Sequence, residues 1–196
     1  APAHDELQLN EETVWGGSPY NNTNPKAKDA LPEIRRLIFE GRNLEAQQLC
    51  GEAICSPRAN GMPYQTVGSL HLDFEGFRSY GNYYRELDLD RAVATTRFTS
   101  GGVDYVRETF ASLMDDVVMM RLTASRPGSI SFKARYTTPM PGARRSATSD
   151  GLLLLEGKGT DHEGIEGKVR FATLLQCQID GGRQKIVGDT ALLVEG

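Results

Sequence analysis

The sequence lacks the features that would place it in a membrane or on a nucleic acid. No apolar run approaches the roughly 20 residues that a membrane-spanning helix needs. The 196 residues include 26 acidic and 22 basic side chains, giving a net charge of -4, whereas nucleic-acid-binding surfaces are usually basic. The opening stretch Ala1 to Asn10 has neither a basic segment nor an apolar core. We therefore expect no signal peptide there, no nucleic-acid partner and no membrane partner.

Cysteine is scarce, and its number is odd. Cys50, Cys55 and Cys177 are the three cysteines of the chain, and three cysteines cannot complete a disulfide framework. We expect free, buried thiols.

The motifs that usually reveal catalytic chemistry are also absent. No glycine-rich phosphate loop opens a helix, no cysteine or histidine pairs have zinc spacing, and no serine sits in a nucleophile elbow. The sequence therefore predicts no cofactor and no metal site. A hydrophobic content of 39% and a charged content of 24% are ordinary for a globular domain.

What the sequence does contain is a succession of short strands, and one hairpin organises them. Residues 97–100 lead into Gly101-Gly102, a pair that supplies the positive φ of a tight turn, and residues 103–111 return. Residues 117–124 then form a strand that is apolar on both sides, which favours a central strand over an edge strand.

Further strands are predicted before and after this hairpin. Alternating or apolar runs that predict them cover residues 7–9, 66–74, 83–90, 92–100, 130–136, 152–155 and 169–179, with two short strands within 184–195. Residues 137–150 are predicted to form a loop. A total of about ten to twelve strands calls for two packed sheets. The sequence therefore predicts an all-β, two-sheet sandwich.

One helical insertion interrupts the strands. Apolar residues recur at helical spacing after Pro32, which suits a first helical turn, and Gly41 ends that helix. Asn43 is a plausible N-cap for a second helix that runs to about residue 52. We expect a short αα-hairpin near residues 31–53.

A few polar or aromatic residues could carry function. Trp15, the single tryptophan, lies in a loop beside two glycines, where it could stack on a sugar ring or anchor the loop as a hydrophobic plug. His71 could be a ligand or a base, but as a lone histidine on the polar face of a strand it is interpreted as a solvated residue. The acids at 86, 88 and 90 are interpreted as a solvated face, not a metal site. Asp161, His162 and Glu163 place three titratable groups on one loop.

Three segments, taken together, carry a family resemblance. They are Leu7-Gln8-Leu9-Asn10-Glu11-Glu12-Thr13-Val14-Trp15-Gly16-Gly17-Ser18-Pro19 with the helix from Leu31 to Gly41, then Pro63-Tyr64-Gln65-Thr66-Val67-Gly68-Ser69-Leu70-His71-Leu72-Asp73-Phe74 with Tyr83 to Leu89, and Asp161-His162-Glu163-Gly164-Ile165 with the following strand. Their order and spacing resemble the N-terminal domain of glycoside hydrolase family 95, the α-L-fucosidase and α-L-galactosidase family.

The resemblance implies a large, supersandwich-like β-domain that precedes an (α/α)6 barrel. In this family the catalytic groups lie in the barrel and hydrolysis inverts the anomeric centre, so we expect no catalytic residue here and no activity from the chain alone. Residues 1–196 are expected to form a single domain that lacks the barrel and is cut at both ends. The resemblance makes Trp15, Tyr64, Gln65, His162 and Glu163 candidates for facing the barrel or its substrate pocket.

The same resemblance implies the partners and the compartment. The expected partners are the barrel of the same polypeptide and fucosylated or galactosylated glycans, and the expected location is secreted or periplasmic. Two alternatives stay open. One is a freestanding carbohydrate-binding module, and the other is the front domain of a disaccharide phosphorylase, because related phosphorylase families share this plan.

Overall fold

A computed structural model of the chain describes residues 2–56, 61–188 and 190–196. These residues form twelve strands and two helices. The strands are β1 (His4–Leu9), β2 (Gly68–Phe74), β3 (Gly81–Asp88), β4 (Val93–Ser100), β5 (Val103–Ser112), β6 (Val117–Ala124), β7 (Phe132–Thr137), β8 (Arg144–Ala147), β9 (Leu153–Lys158), β10 (Arg170–Leu175), β11 (Arg183–Val187) and β12 (Ala191–Glu195). The helices are α1 (Ala27–Phe39) and α2 (Asn43–Ala53).

The chain divides into two compact units. The first, which we call the sheet unit, comprises Ala1–Glu11, Thr66–Gly157 and Phe171–Gly196. The second, which we call the loop unit, comprises Glu12–Gln65 and Lys158–Arg170 and contains both helices. The assignment of residues 1–196 to a single domain stays a prediction.

Two antiparallel sheets make up most of the sheet unit. Five strands pair in the order β1-β2-β7-β12-β11, and four pair in the order β3-β4-β5-β6. The register of β1 on β2 sets Glu6 opposite His71 and His4 opposite Asp73. A third, smaller sheet has the order β10-β9-β8.

The core of the sheet unit is aromatic. Phe77 packs edge-on against Phe98 of β4 and Tyr105 of β5, with ring centroids 5.0 and 4.7 Å apart. It also lies 5.9 Å from the ring of Phe74 on β2. Side chains from the five-stranded and the four-stranded sheet therefore meet in one interior, as in a β-sandwich. The predicted all-β sandwich is confirmed.

The position predicted for β6 is wrong. Among the described strands β6 lies at the edge of the four-stranded sheet, with β5 as its neighbour. Val117, Val118 and Met119 are 43%, 53% and 50% exposed. Apolar side chains on both faces favour a strand conformation, but they do not report whether another strand pairs with the backbone on each side.

Residues 137–150, predicted as a loop, contain a strand. Arg144–Ala147 forms β8, which pairs with β9 so that Arg145 lies opposite Leu155. The sequence Arg-Arg-Ser-Ala shows no alternation of apolar residues, so periodicity could not reveal it.

The helical hairpin lies in the loop unit and is confirmed, with shifted boundaries. Ile34 and Leu37 of α1 pack with Ala46 of α2. Helix α1 begins at Ala27, earlier than expected, so Pro32 lies inside the helix and not in its first turn. The backbone of Gly41 follows the helix with φ +74°, as a C-terminal glycine should.

The cysteines are free, as predicted, but the prediction that they are buried is wrong. Cys55 is exposed, whereas Cys50 and Cys177 are half-buried. Neither helix in the described part of the chain is long and apolar enough to cross a membrane.

Candidate functional site

The loop unit brings all five predicted site residues onto one framework, which we call the loop framework: residues 12–17, 62–65 and 158–170. Backbone hydrogen bonds join the first two segments. The Gly16 N–H donates to the Pro63 carbonyl at 2.8 Å, and the Gln65 N–H donates to the Val14 carbonyl at 2.9 Å. Trp15 and Tyr64 therefore lie opposite each other across a short antiparallel bridge.

Trp15 and Tyr64 form a surface pair. Their ring centroids are 5.2 Å apart and the ring planes are inclined at 67°. The indole Nε1–H of Trp15 donates to the Glu12 carbonyl at 2.7 Å, which fixes the ring. Trp15 is 45% exposed and Tyr64 is 42% exposed. The pair therefore presents aromatic surface to solvent, and Trp15 is not a buried plug.

Gln65 connects the aromatic pair to the third segment. Its side-chain amide donates to the Thr160 hydroxyl, and its carbonyl oxygen accepts from the Thr160 N–H at 3.0 Å. The Thr160 carbonyl in turn accepts from the Gly17 N–H at 2.7 Å. The half-buried Gln65 side chain thus uses both its amide nitrogen and its carbonyl oxygen on one residue, and holds the segment containing His162 and Glu163 in place.

Two positions of the loop framework require glycine, because another backbone segment lies against each of them. A Cβ on Gly159 would lie 2.8 Å from the Trp15 carbonyl oxygen, and a Cβ on Gly167 would overlap the Gly159 carbonyl oxygen. Only glycine allows the three backbone segments to lie this close.

A tight turn presents His162 and Glu163. The N–H and C=O groups of His162 and Ile165 are hydrogen-bonded in both directions at 2.9 Å. The two central residues, Glu163 and Gly164, have φ of +48° and +77°, as a type I′ turn requires. Glutamate rarely adopts positive φ, so Glu163 is an unusual residue for this position of the turn.

The acidic side chains of residues 158–170 already have interactions. An Asp161 carboxylate oxygen accepts from the Gly167 N–H at 2.9 Å, and Glu166 accepts from Lys158 Nζ at 3.2 Å. Glu163 Oε1 lies 3.9 Å from His162 Nε2. This arrangement suits recognition of a sugar by aromatic stacking and polar contacts better than acid-base hydrolysis, which needs two carboxyl groups facing a substrate.

The acids at the end of β3 serve local structure. Glu86 accepts from the Tyr84 hydroxyl at 2.9 Å, and Asp88 accepts from the backbone of Asp90 and Arg91 at 3.0 Å. They are not part of any group of potential metal ligands found among residues 2–56, 61–188 and 190–196.

The interpretation of His71 as a solvated histidine is wrong. In the sheet unit His71 is half-buried, and its Nε2 lies 2.7 Å from the Thr137 hydroxyl. A group formed with His4 and Glu6 escaped the sequence analysis, because their proximity depends on the register of β1 against β2. Alternation within each strand shows which residues share a face of the sheet. It does not show which residue of β1 pairs with which residue of β2.

Comparison with known proteins supports the resemblance seen in the sequence. The whole chain, residues 1–196, matches the family model described as glycosyl hydrolase family 65, N-terminal domain. The chain is 34% identical to alpha-L-fucosidase 2 of Arabidopsis thaliana over 96% of its own length. It is also 32% identical to a probable alpha-fucosidase A of Aspergillus niger over 69% of its length.

The matched region is only a small part of each relative. The chain spans 24% of the Arabidopsis protein and 18% of the Aspergillus protein. The predicted resemblance to the N-terminal domain of a fucosidase-type glycoside hydrolase is confirmed. The chain belongs to the family described as glycosyl hydrolase family 65, N-terminal domain.

Proposed function

We propose that this chain is the non-catalytic N-terminal domain of an inverting α-L-fucosidase of glycoside hydrolase family 95. In this proposal it packs against an (α/α)6 barrel of the same polypeptide and helps to shape the active site. The names and lengths of the relatives support it: both are fucosidases by name, and the chain matches only 24% and 18% of them.

The exposed pair Trp15 and Tyr64 carries the proposal. Aromatic faces pack well on the C–H groups of a sugar ring. Here the two rings are held by backbone hydrogen bonds at 2.8 and 2.9 Å between the segments that bear them, so little ordering is needed when a sugar binds. We propose that this surface contacts a fucosylated or galactosylated glycan beside the barrel.

The remaining loop residues fit a supporting role. Gln65 is occupied by Thr160, so it positions the segment that carries His162 and Glu163. The carboxylates of Asp161 and Glu166 are engaged within the loop unit. We therefore assign bond cleavage to groups outside this chain.

We also propose that the parent protein acts outside the cytoplasm.

The test uses the full-length protein that contains this chain. Trp15→Ala and Tyr64→Ala should each lower kcat/KM for a fucosylated oligosaccharide about tenfold, equivalent to ~1.4 kcal/mol of lost binding. Phe39→Ala is the matched control, because Phe39 is 83% exposed on α1 and should leave kcat/KM unchanged. Wild-type kcat/KM in both site variants would contradict the proposed role of the pair.

A second measurement separates the front-domain role from a binding module. The exposed aromatic pair is the observation that favours a module. Calorimetry of the 196-residue chain with fucosylated oligosaccharides should give no measurable heat if the pocket needs the barrel, whereas saturable binding favours a freestanding module. Turnover of a nitrophenyl fucoside by the chain alone would contradict the non-catalytic role.

A third measurement tests the phosphorylase alternative. Cleavage by the full-length protein that requires inorganic phosphate would favour a phosphorylase.

A further inference from the structure

Three potential metal ligands meet on the outer face of the five-stranded sheet. One ring nitrogen of His4, one of His71 and a carboxylate oxygen of Glu6 lie within 4.8 Å of one another. The pairing of β1 with β2 creates this group, because Glu6 lies directly opposite His71 and His4 lies two residues earlier on the same face. The imidazole ring centroids are 5.4 Å apart.

The surroundings of His4 orient its ring as a metal ligand requires. Its Nδ1 lies 2.7 Å from Asp73 Oδ1, and Asp73 is itself held by Arg135 Nε at 3.0 Å from its other oxygen. When Nδ1–H donates to that carboxylate, the lone pair is left on Nε2. Metal-binding histidines commonly donate their second ring nitrogen to a carboxylate in this way.

The surroundings of His71 also leave one ring nitrogen available to a metal, and in this residue it is Nδ1. Its Nε2 is hydrogen-bonded to the Thr137 hydroxyl at 2.7 Å. Its Nδ1 is buried and has no hydrogen-bond partner. Buried polar atoms are almost always satisfied, so an unpaired ring nitrogen beside a second histidine and a glutamate requires an explanation, and a bound cation supplies one.

The donor set indicates which cation would fit. Two neutral imidazoles and one carboxylate match zinc, which accepts nitrogen and oxygen ligands and often keeps a fourth position for water. Calcium and magnesium prefer sites built from oxygen atoms. Glu6 is exposed, which leaves the group open to an ion from solvent. Arg135 lies opposite His71 on β7, and its guanidinium group forms an ion pair with Asp73.

We propose that His4, Glu6 and His71 bind one zinc ion that joins the edge strand β1 to β2. The site lies in the sheet unit and is independent of the proposed carbohydrate function. The ion would connect two strands that already pair through their backbones.

Variants can remove the donor nitrogen of each histidine while keeping its other hydrogen bond, and can remove the charge of Glu6. In His4→Asn the amide nitrogen replaces Nδ1 and can still donate to Asp73, whereas Nε2 is lost. In His71→Gln the amide nitrogen replaces Nε2 beside Thr137, whereas Nδ1 is lost. Glu6→Gln removes the charge of the third ligand. His162→Gln is the matched control, because His162 is the remaining histidine of the three in the chain and also has a glutamate neighbour.

The measurement is calorimetric titration of the tag-free, 196-residue chain with zinc chloride, carried out with reduced cysteines and repeated with Cys55→Ser. We expect one zinc per chain, and binding weakened tenfold or more in His4→Asn, His71→Gln and Glu6→Gln. We expect His162→Gln and Cys55→Ser to bind like the wild type. Absence of saturable binding, or equal weakening in His162→Gln, would overturn the proposal.

A measurement on the unmodified chain covers the case in which a variant does not fold. Nitrogen NMR of the histidine rings should show that zinc shifts His4 Nε2 and His71 Nδ1 and leaves His162 unchanged. A zinc-dependent shift confined to His162, or no shift at all, contradicts the site.

Discussion

The guanidinium carbon of Arg107 lies 3.8 Å from the centre of the Phe74 ring, so a cation on β5 packs on an aromatic ring of the facing sheet. Arg107 is 5% exposed, and it donates to Asp5 at 3.3 Å and to the Pro2 carbonyl. Burial lowers the pKa of Arg107, and the neighbouring Asp5 carboxylate opposes that effect. The charge is therefore tolerated in the core only because these partners surround it.

Replacing Arg107 should destabilise the sheet unit. Arg107→Met keeps an apolar stem over Phe74 but leaves Asp5 and the Pro2 carbonyl without their donor. We expect the free energy of unfolding to fall by about 3 kcal/mol, measured by urea denaturation. Arg97→Met is the control, since the Arg97 side chain is 58% exposed and its loss should change stability by less than about 0.5 kcal/mol. Similar losses in both variants would contradict the importance of the buried contacts.

Alkaline pH should destabilise the fold through Cys177 and Tyr136. Burial raises the pKa of the Cys177 thiol above its ordinary value of 9.0. Burial, with a smaller contribution from Cys177, also raises the pKa of Tyr136 above its ordinary value of 10.0. Because both groups favour the protonated form in the folded state, their stabilising effect is complete below the unfolded pKa values and is lost as pH rises.

Urea denaturation between pH 7 and pH 10 measures this effect. The free energy of unfolding should begin to fall near pH 9, where the unfolded thiol loses its proton. Cys177→Ala should make that decrease shallower, whereas Cys55→Ala, which removes an exposed thiol, should leave it unchanged. An identical pH dependence in the two variants would show that burial of Cys177 has no part in it.

Glu163 occupies a backbone conformation that glycine would adopt with less strain. With φ of +48° at this residue, Glu163→Gly should raise the free energy of unfolding by about 1 kcal/mol. Gly164→Ala should lower it by a similar amount, because φ there is +77° although the space around a Cβ is open. Thermal unfolding of the two variants should therefore show midpoint shifts of opposite sign. If Glu163 contributes to the proposed pocket, kcat/KM of the full-length protein should fall despite the gain in stability.

Gln65 should control the order of residues 158–170. Gln65→Leu removes both hydrogen bonds to Thr160 and should cost about 2 kcal/mol, since each such bond contributes about 1 kcal/mol. Hydrogen exchange at the Thr160 amide should accelerate in this variant. Gln48→Leu on the exposed surface of α2 is the matched substitution and should leave that amide protected. Unchanged exchange in Gln65→Leu would show that Gln65 does not control the order of this segment.

The sequence predicted local conformation well and spatial neighbourhood poorly. Gly101-Gly102 and Gly41 could be assigned because a positive φ has a strong residue preference. The position of β6 could not, since its apolar residues do not report which strands pair with it. The interpretation of His71 is wrong for the same reason, because its neighbours His4 and Glu6 belong to a strand more than 60 positions away.

The candidate site shows the same division. Trp15 stands out as the single tryptophan and lies in a loop, whereas Tyr64 and Gln65 are candidates through family resemblance alone. The structure places all three on one framework. The Gln65 contact with Thr160 spans 95 residues of sequence, so no local pattern could reveal it. The turn at Glu163 was also hidden, because glutamate is not a residue that predicts positive φ.

The exposed edge strand β6 also affects how the chain behaves in solution. Among the described strands, none pairs with its outer edge, which runs beside the exposed Val117, Val118 and Met119, and Arg121 is its single charged residue. Natural edge strands usually carry lysine, proline or a bulge that prevents a second chain from adding as a further strand. Without such protection, separate copies can extend the four-stranded sheet from molecule to molecule. The chain on its own should therefore form β-rich aggregates as its concentration rises, and a lysine in place of Val118 should slow that growth.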